Sequence, residues 1–406
     1  MAMISTVYIA KNVYGGDGLG RLGDGRVVFV PGAWEGENVR AEIVEERRNY
    51  VKARLVEVEE ASPERIDGGA VAQVPGCVYA NLSCKGEYAA KERQLVEFLE
   101  RARLDCGKFV SPSVDEAGML NYRNKVVYHF ARRNQEWVFG YRREPGHEIV
   151  EIENDPLAAP PINAKLPEIR RSVMALLRSG PVSVRRDVER KGNLTVRWSE
   201  KTGVKWWIGD APEGVVFRET TCGRIFEVPA GGFYQVNPAV GDKLVSAVVA
   251  EFEKIKASTP RLVDLYCGVG VFGLCCGAEK MLGIESGVKS IEFAKCNAQR
   301  YGIEAKFVAG RVAGNLTRFR GGDDLAIIVD PPRGGMESGV ARKLAASGAA
   351  KIFYVSCDPA TMTRDLKDLC RNYRIESVRW FNMFPRTARF ETLAVLERLP
   401  DMEARA

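Results

Sequence analysis

LVDLYCGVGVFGL, residues 262–274, decides the fold. An apolar, strand-like run gives way to CGVGVFG, where Gly268, Gly270 and Gly273 let the backbone turn tightly after a strand and pass close to a ligand. Further apolar runs follow, KMLGIE, AKFVA, LAIIVD, KIFYVS and TLAVLER, separated by helix-like segments such as GVKSIEFAKCNAQRYG and SGVARKLAASG. This alternation predicts an α/β fold with a largely parallel sheet, a Rossmann-like domain. Ligands of such sheets sit outside the carboxyl ends of the strands, which lines up Asp264, Glu285, Asp330 and Cys357 along one rim. The same glycine spacing also suits a nicotinamide dinucleotide, with Glu285 on the adenosine ribose. Asp264, four residues before the first glycine, shifts the balance toward a cationic cofactor, and no second site suggests hydride chemistry. S-adenosylmethionine carries a sulfonium and an ammonium group, so a carboxylate there makes electrostatic sense.

KIFYVSCDPATMTRDL, residues 351–366, places Cys357 at the end of an apolar strand just before a helix start. A helix beginning after Asp358 would lower the thiol pKa through its amino-terminal dipole. DPPRGG, Asp330–Gly335, stiffens a loop at the same rim. Related loops with an aromatic after Pro-Pro suit transfer to an exocyclic amine, and Arg333 stands in that place, which disfavours amine methylation. Carbon 5 of uracil is too poor a nucleophile to take a methyl group unaided. A thiolate must first add at carbon 6, splitting the difficult step in two. The hydrogen on carbon 5 must then leave before the thiolate can, which requires a general base, and Glu391 in FPRTARFETLAVLER (384–398) is the candidate. Cys267, Cys275, Cys276, Cys296 and Cys370 read as ordinary thiols.

The chain has 406 residues, room for two or three domains, and its 59 basic against 53 acidic residues give a net charge of +6, compatible with a polyanionic partner. Ten cysteines lack paired spacing, and neither a signal peptide nor a long uncharged apolar run is visible, which points to a cytoplasmic protein with free thiols and no membrane span. Residues 1–60 alternate short β-branched runs with Gly-rich turns, the pattern of a small barrel of the oligonucleotide-binding (OB) kind. Lys11, Arg21, Arg26, Arg47, Arg48, Lys52 and Arg54 would give it a partly basic surface for single-stranded nucleic acid, although by charge alone they serve equally well to solvate a barrel. Residues 61–235 form a mixed, mostly β central region: helical spacing over Glu87–Arg103, then strands in YRNKVVYHFARR, EWVFGYRRE, NLTVRWSE and VKWWIGD. Residues 236–406 are the catalytic domain. Cys77 and Cys84 invite an iron–sulfur reading, but a cluster needs several thiolates held together and only two are present. No metal is expected.

GGDGLGRLGDGRVVFVPGAWEGE (15–37) resembles the TRAM domain of RNA-modifying enzymes. FYQVNP (233–238), DLYCGVG, GIE, DPPRGG, SCDPAT and FPRTARFE then occur in the order seen in TRAM-bearing RNA uracil-5-methyltransferases, and the chain resembles that family over nearly its full length. The resemblance implies S-adenosylmethionine as methyl donor and a uridine of transfer or ribosomal RNA, flipped out of its stack, as target. It implies Cys357 as nucleophile, Glu391 as base, and Gln235, Tyr266, Glu285 and Asp330 as cofactor or active-site contacts. A monomer is the expected state. The chain also departs from the family. Many members hold a four-cysteine cluster, and here Glu87 and Asp155 stand where a third and fourth ligand would fall. Arg311 occupies a place where an acid or amide often touches the adenine, and Arg389 replaces a frequent histidine. Two alternatives remain: an RNA-binding protein without catalysis, and a 5-methylcytosine enzyme. The first sits poorly with both Cys357 and Glu391 being present. The second commonly uses a Pro-Cys pair, whereas Ser356 precedes Cys357.

Overall fold

The computed structural model describes residues 3–400 apart from 135, 144, 145, 147, 184 and 187–191. Strands Ile4–Asn12, Gly18–Arg21, Val27–Val30, Asn38–Glu46 and Tyr50–Glu60 close into a barrel in the order first, second, third, fifth, fourth. Alternate residues point inward, so Val7, Ile9, Val28, Val30, Val39, Ala41, Val51 and Ala53 fill the interior. The barrel is narrow enough that a Cβ on Gly20 would lie 2.5 Å from the carbonyl oxygen of Tyr8, so this position excludes a side chain. The expected basic surface is largely cancelled. Arg26 pairs with Asp24 and Glu46, Arg47 and Lys52 with Glu45, Arg54 with Glu42, and Lys11 with Glu97. The cause is register: Glu42 faces Arg54 and Glu45 faces Lys52 across neighbouring strands, an arrangement that linear charge counting does not reveal.

The central sheet has the order Gly203–Ile208, Asn193–Ser199, Lys125–Arg133, Glu136–Arg143, Glu148–Glu151, antiparallel throughout. Helix Pro160–Ser179 covers one face with Ile162, Leu166, Ile169, Val173 and Leu177, an apolar stripe at helical spacing. The sequence reading did not pick out this helix, which carries Pro160, Pro161 and Pro167. The first two start it, where no backbone donor is missed, and the stripe carries it past the third.

The start of the region expected to be central packs elsewhere. Ser83 caps helix Cys84–Ala102 by accepting from the Gly86 N–H, and Tyr88, Leu95 and Leu99 of this helix join the core of the carboxy-terminal sheet. Strand Lys108–Val110 then pairs with Tyr373–Phe381 at that sheet's edge. The eight-stranded sheet runs Ala305–Ala309, Lys280–Glu285, Arg261–Leu265, Leu325–Val329, Lys351–Ser356, Glu391–Arg398, Tyr373–Phe381, Lys108–Val110. The first five strands are parallel, and Glu391–Arg398 runs antiparallel to both neighbours. Both faces are buried: Leu325, Ile327, Val329, Ile352 and Tyr354 face one core, while Ala326, Ile328, Phe353 and Val355 face the other. That double burial explains why these strands read as unbroken apolar runs. No helix among the described residues is long and apolar enough to cross a membrane.

Candidate active site

Strands Lys280–Glu285, Arg261–Leu265, Leu325–Val329 and Lys351–Ser356 end side by side in that order, and the loops leaving them surround a cavity of about 690 Å³. Gln235, Tyr266, Gly268, Glu285, Asp330, Cys357 and Glu391 all line it, joined by Phe233, Arg311, Arg333, Glu337 and Arg389. Gly268 has φ +54°, the left-handed region, and faces open space on the side where a Cβ would stand. The Gly268 N–H donates to Glu285 Oε2 (3.3 Å) and the Gly287 N–H to Oε1 (2.7 Å), which fixes this carboxylate at the rim.

Two expected contacts lie behind the wall. Asp264 is fully buried and is not on the cavity surface. Its Oδ2 accepts from the Gly273 N–H (3.0 Å), so it anchors the short helix Val271–Cys276 from below, and Oδ1 has no hydrogen-bond partner. Burial pushes its carboxyl up to about 7, with further repulsion from Asp330 and Glu285. Gly270 (φ +87°) begins the helix and shapes the turn rather than facing the cavity.

Cys357 follows the strand end, half-buried, but its thiol is not acidified. Burial pushes it up to about 12, the carboxylates of Glu391 and Asp330 push in the same direction, and Arg333 opposes them. Burial and these carboxylates outweigh the expected dipole effect. Asp358 Oδ1 caps the helix beside the thiol by accepting from the Ala360 and Thr361 N–H groups (3.0 and 3.2 Å). Glu391 opens its strand almost wholly buried, and burial plus the charge of Asp330 hold its carboxyl well above the usual range, again against Arg333. Asp330 itself is pushed up to about 7 by burial and by Glu285. Arg333 is therefore the cation that lowers both the Cys357 thiol and the Glu391 carboxyl, a contact the sequence reading missed because it treated this residue only as a missing aromatic. Arg311, at the exposed rim of the cavity, pairs with Glu337 (2.7 Å), whose other oxygen accepts from the Ala313 N–H.

The residues fit a cationic nucleoside cofactor. Like-charged, partly dehydrated carboxyls line the cavity, which a sulfonium and an ammonium would relieve, and Glu285 is oriented for ribose hydroxyls. An iron–sulfur cluster does not fit. Glu87 accepts from Lys91 Nζ (2.7 Å), the Arg386 N–H (3.0 Å) and Asn382 Nδ2 (3.2 Å), and Asp155 from the hydroxyls of Tyr128 and Tyr141 (2.8 and 2.7 Å) and the Leu157 N–H. Both carboxylates are thus committed to protein donors. Burial pushes the Cys77 and Cys84 thiols up to about 12 and 11, and no group of three or more His, Cys, Asp or Glu among the described residues is placed to hold a metal ion.

A parallel sheet with this loop and cavity, joined to an amino-terminal barrel, defines a methyltransferase directed at RNA. Residues 222–399 match the family described as tRNA (Uracil-5-)-methyltransferase, and residues 6–56 match the TRAM domain. A protein of Streptomyces avermitilis described as an uncharacterized RNA methyltransferase is 30% identical, the match covering 96% of this chain and 97% of that one. Another so described, from Thermosynechococcus vestitus, is 28% identical over 94% and 95%. The Pyrococcus abyssi tRNA (uracil-54, C5)-methyltransferase, solved with S-adenosyl-L-homocysteine, shares the fold at 21% identity with a TM-score of 0.68, covering 96% of this chain and all of that one. The chain belongs to the RNA methyltransferase family of its Streptomyces relative, with a TRAM domain at its amino-terminal end.

Proposed function

We propose that this enzyme methylates carbon 5 of a uridine in transfer or ribosomal RNA through a temporary bond from Cys357 to carbon 6. The observation that carries the reading is that Cys357 and Glu391, distant in sequence, stand on the walls of the same cavity as Gly268 and Glu285. When bound, S-adenosylmethionine would supply the electrophilic methyl group, its sulfur keeping the electron pair of the broken sulfur–methyl bond as S-adenosylhomocysteine leaves, and a positive charge near these carboxyls. Glu285 and Gly268 would hold it, with Gln235, Tyr266 and Asp330 lining the same cavity.

Cys357 Sγ adds to carbon 6 as a thiolate and leaves an enolate, so carbon 5 becomes nucleophilic toward the methyl. Glu391 then takes the proton from carbon 5, the electron pair restores the double bond, and the Sγ–carbon 6 bond breaks. Both groups must be ionised for their steps, yet burial pushes both upward, with Glu391 and Asp330 adding to it at the thiol and Asp330 at the Glu391 carboxyl. Arg333 draws both down, and cationic charge in the cavity adds to its effect. The base must be extruded to reach this depth. The test is methylation of unmodified transfer and ribosomal RNA with labelled donor, followed by nucleoside mass spectrometry. The reading expects 5-methyluridine; 5-methylcytidine as product, or RNA binding without transfer, would replace it with one of the alternatives.

A further inference from the structure

Tyr14 lies in the turn between the first two barrel strands, 344 residues from Asp358 in sequence, yet its hydroxyl meets that carboxylate. The phenol donates to Asp358 Oδ2 (3.3 Å) and accepts from Arg389 Nη1 (2.8 Å), and Arg389 Nη1 also donates to Asp358 Oδ2 (2.7 Å). The ring is fixed edge-on against Phe98 (5.4 Å between centroids) and Phe390 (6.2 Å), with the Arg389 guanidinium 5.7 Å from its centre. Two further ties seat the same turn: Gln94 Nε2 donates to the Val13 carbonyl (3.1 Å), and Lys11 pairs with Glu97 (2.8 Å).

The position of this contact gives it consequence. Asp358 adjoins Cys357, and Arg389 stands two residues before Glu391 with its side chain on the catalytic cavity. One hydroxyl therefore bridges the segment carrying the nucleophile and the segment carrying the base, and it comes from the barrel. We propose that Tyr14 is a positioning residue for methyl transfer: by holding Arg389 against Asp358 it makes the seating of the barrel set the alignment of Cys357 with Glu391. The barrel then takes part in the reaction geometry as well as in RNA capture. Burial keeps the phenol protonated, so it donates at all working pH values. The inference rests on the reading of Cys357 and Glu391 as the reacting pair.

Tyr14→Phe keeps the ring contacts and removes only the hydroxyl, so the fold stays intact. Two rates are measured: turnover on RNA, resolved into kcat and KM, and alkylation of Cys357 by iodoacetamide without RNA. Loss of one charge-assisted hydrogen bond at an alignment contact is expected to lower kcat about tenfold with KM and S-adenosylhomocysteine affinity within about twofold. Alkylation should slow severalfold, because a less tethered Arg389 leaves the Asp358 charge beside the thiol less neutralised. Wild-type kcat and alkylation in Tyr14→Phe, or a change in KM alone, would overturn the inference and leave the tyrosine as packing or RNA contact. A Cys357→Ala protein that still turns over would remove the nucleophile assignment instead; the alkylation rate needs no turnover and judges Tyr14 separately.

Discussion

Replacing Asp264 by asparagine exchanges one oxygen for an amide nitrogen and leaves the side chain's shape and its acceptor for the Gly273 N–H in place. What disappears is a carboxyl that has to ionise in the dry core behind the glycine loop. Its folded value is pushed up to about 7 from 3.8, so the folded protein keeps this proton where the unfolded chain has released it. The stability this group contributes is present at acid pH and is lost as pH rises from about 4 to about 7. Integrating the difference in bound protons gives a loss of about 2–3 kcal/mol between pH 5 and pH 8. The substituted amide titrates nothing over this range. At pH 5 the substitution costs about 1 kcal/mol, since its amide N–H groups meet the place where Oδ1 already lacks a partner. By pH 8 the asparagine protein should have gained about 2–3 kcal/mol on the wild type. Urea unfolding of both proteins at the two pH values, comparing midpoint and slope, measures this directly. Stability curves that run parallel from pH 5 to pH 8 would show that Asp264 is already ionised at pH 5 in the folded protein as in the unfolded chain, and the account of a strained acid beneath the loop would be wrong.

Cys357→Ala should abolish methyl transfer while S-adenosylhomocysteine binds as before, measured by calorimetry beside a turnover assay; residual turnover would exclude the cysteine from the mechanism. Glu391→Gln should stall after methyl transfer and accumulate a protein–RNA adduct that survives a denaturing gel, and normal release of product would refute the base assignment. Turnover should rise with pH above neutrality, because burial raises both Cys357 and Glu391 and each must lose a proton, so a rate that falls between pH 7 and pH 9 would contradict the scheme. Lys91→Met leaves the buried Glu87 carboxylate with only the more distant Arg386 guanidinium (3.7 Å) and should cost about 3 kcal/mol in denaturant unfolding, while a loss below about 1 kcal/mol would show the pair to be dispensable.

The parallel strands were legible because burial on both faces makes each an uninterrupted apolar run, and the barrel because short alternating segments between glycines have few other solutions. Strand-end logic then placed Glu285, Asp330 and Cys357 on one rim without knowledge of any distance. It failed for Asp264, whose backbone position is correct but whose side chain turns under the loop toward Gly273. The Cys357 thiol shows a different gap. A helix start beside a cysteine suggests acidity, yet the outcome depends on burial and on carboxylates brought in from residues 330 and 391. The barrel's charge was left open between two readings for a related reason, since only strand register reveals which arginine meets which glutamate. Tyr14 carried no local signal. Its partners lie more than three hundred residues away, and only the folded chain assembles them.

The central claim is a covalent one, and RNA containing 5-fluorouridine tests it most directly. Fluorine cannot leave as a cation, so a base that has been attacked at carbon 6 and methylated at carbon 5 stays attached to the enzyme. Digestion and mass spectrometry of the trapped complex should find one modified peptide, with the methylated fluorinated nucleotide on Cys357. An adduct on another cysteine, or efficient transfer to ordinary uridine with no trapped species, would contradict the account.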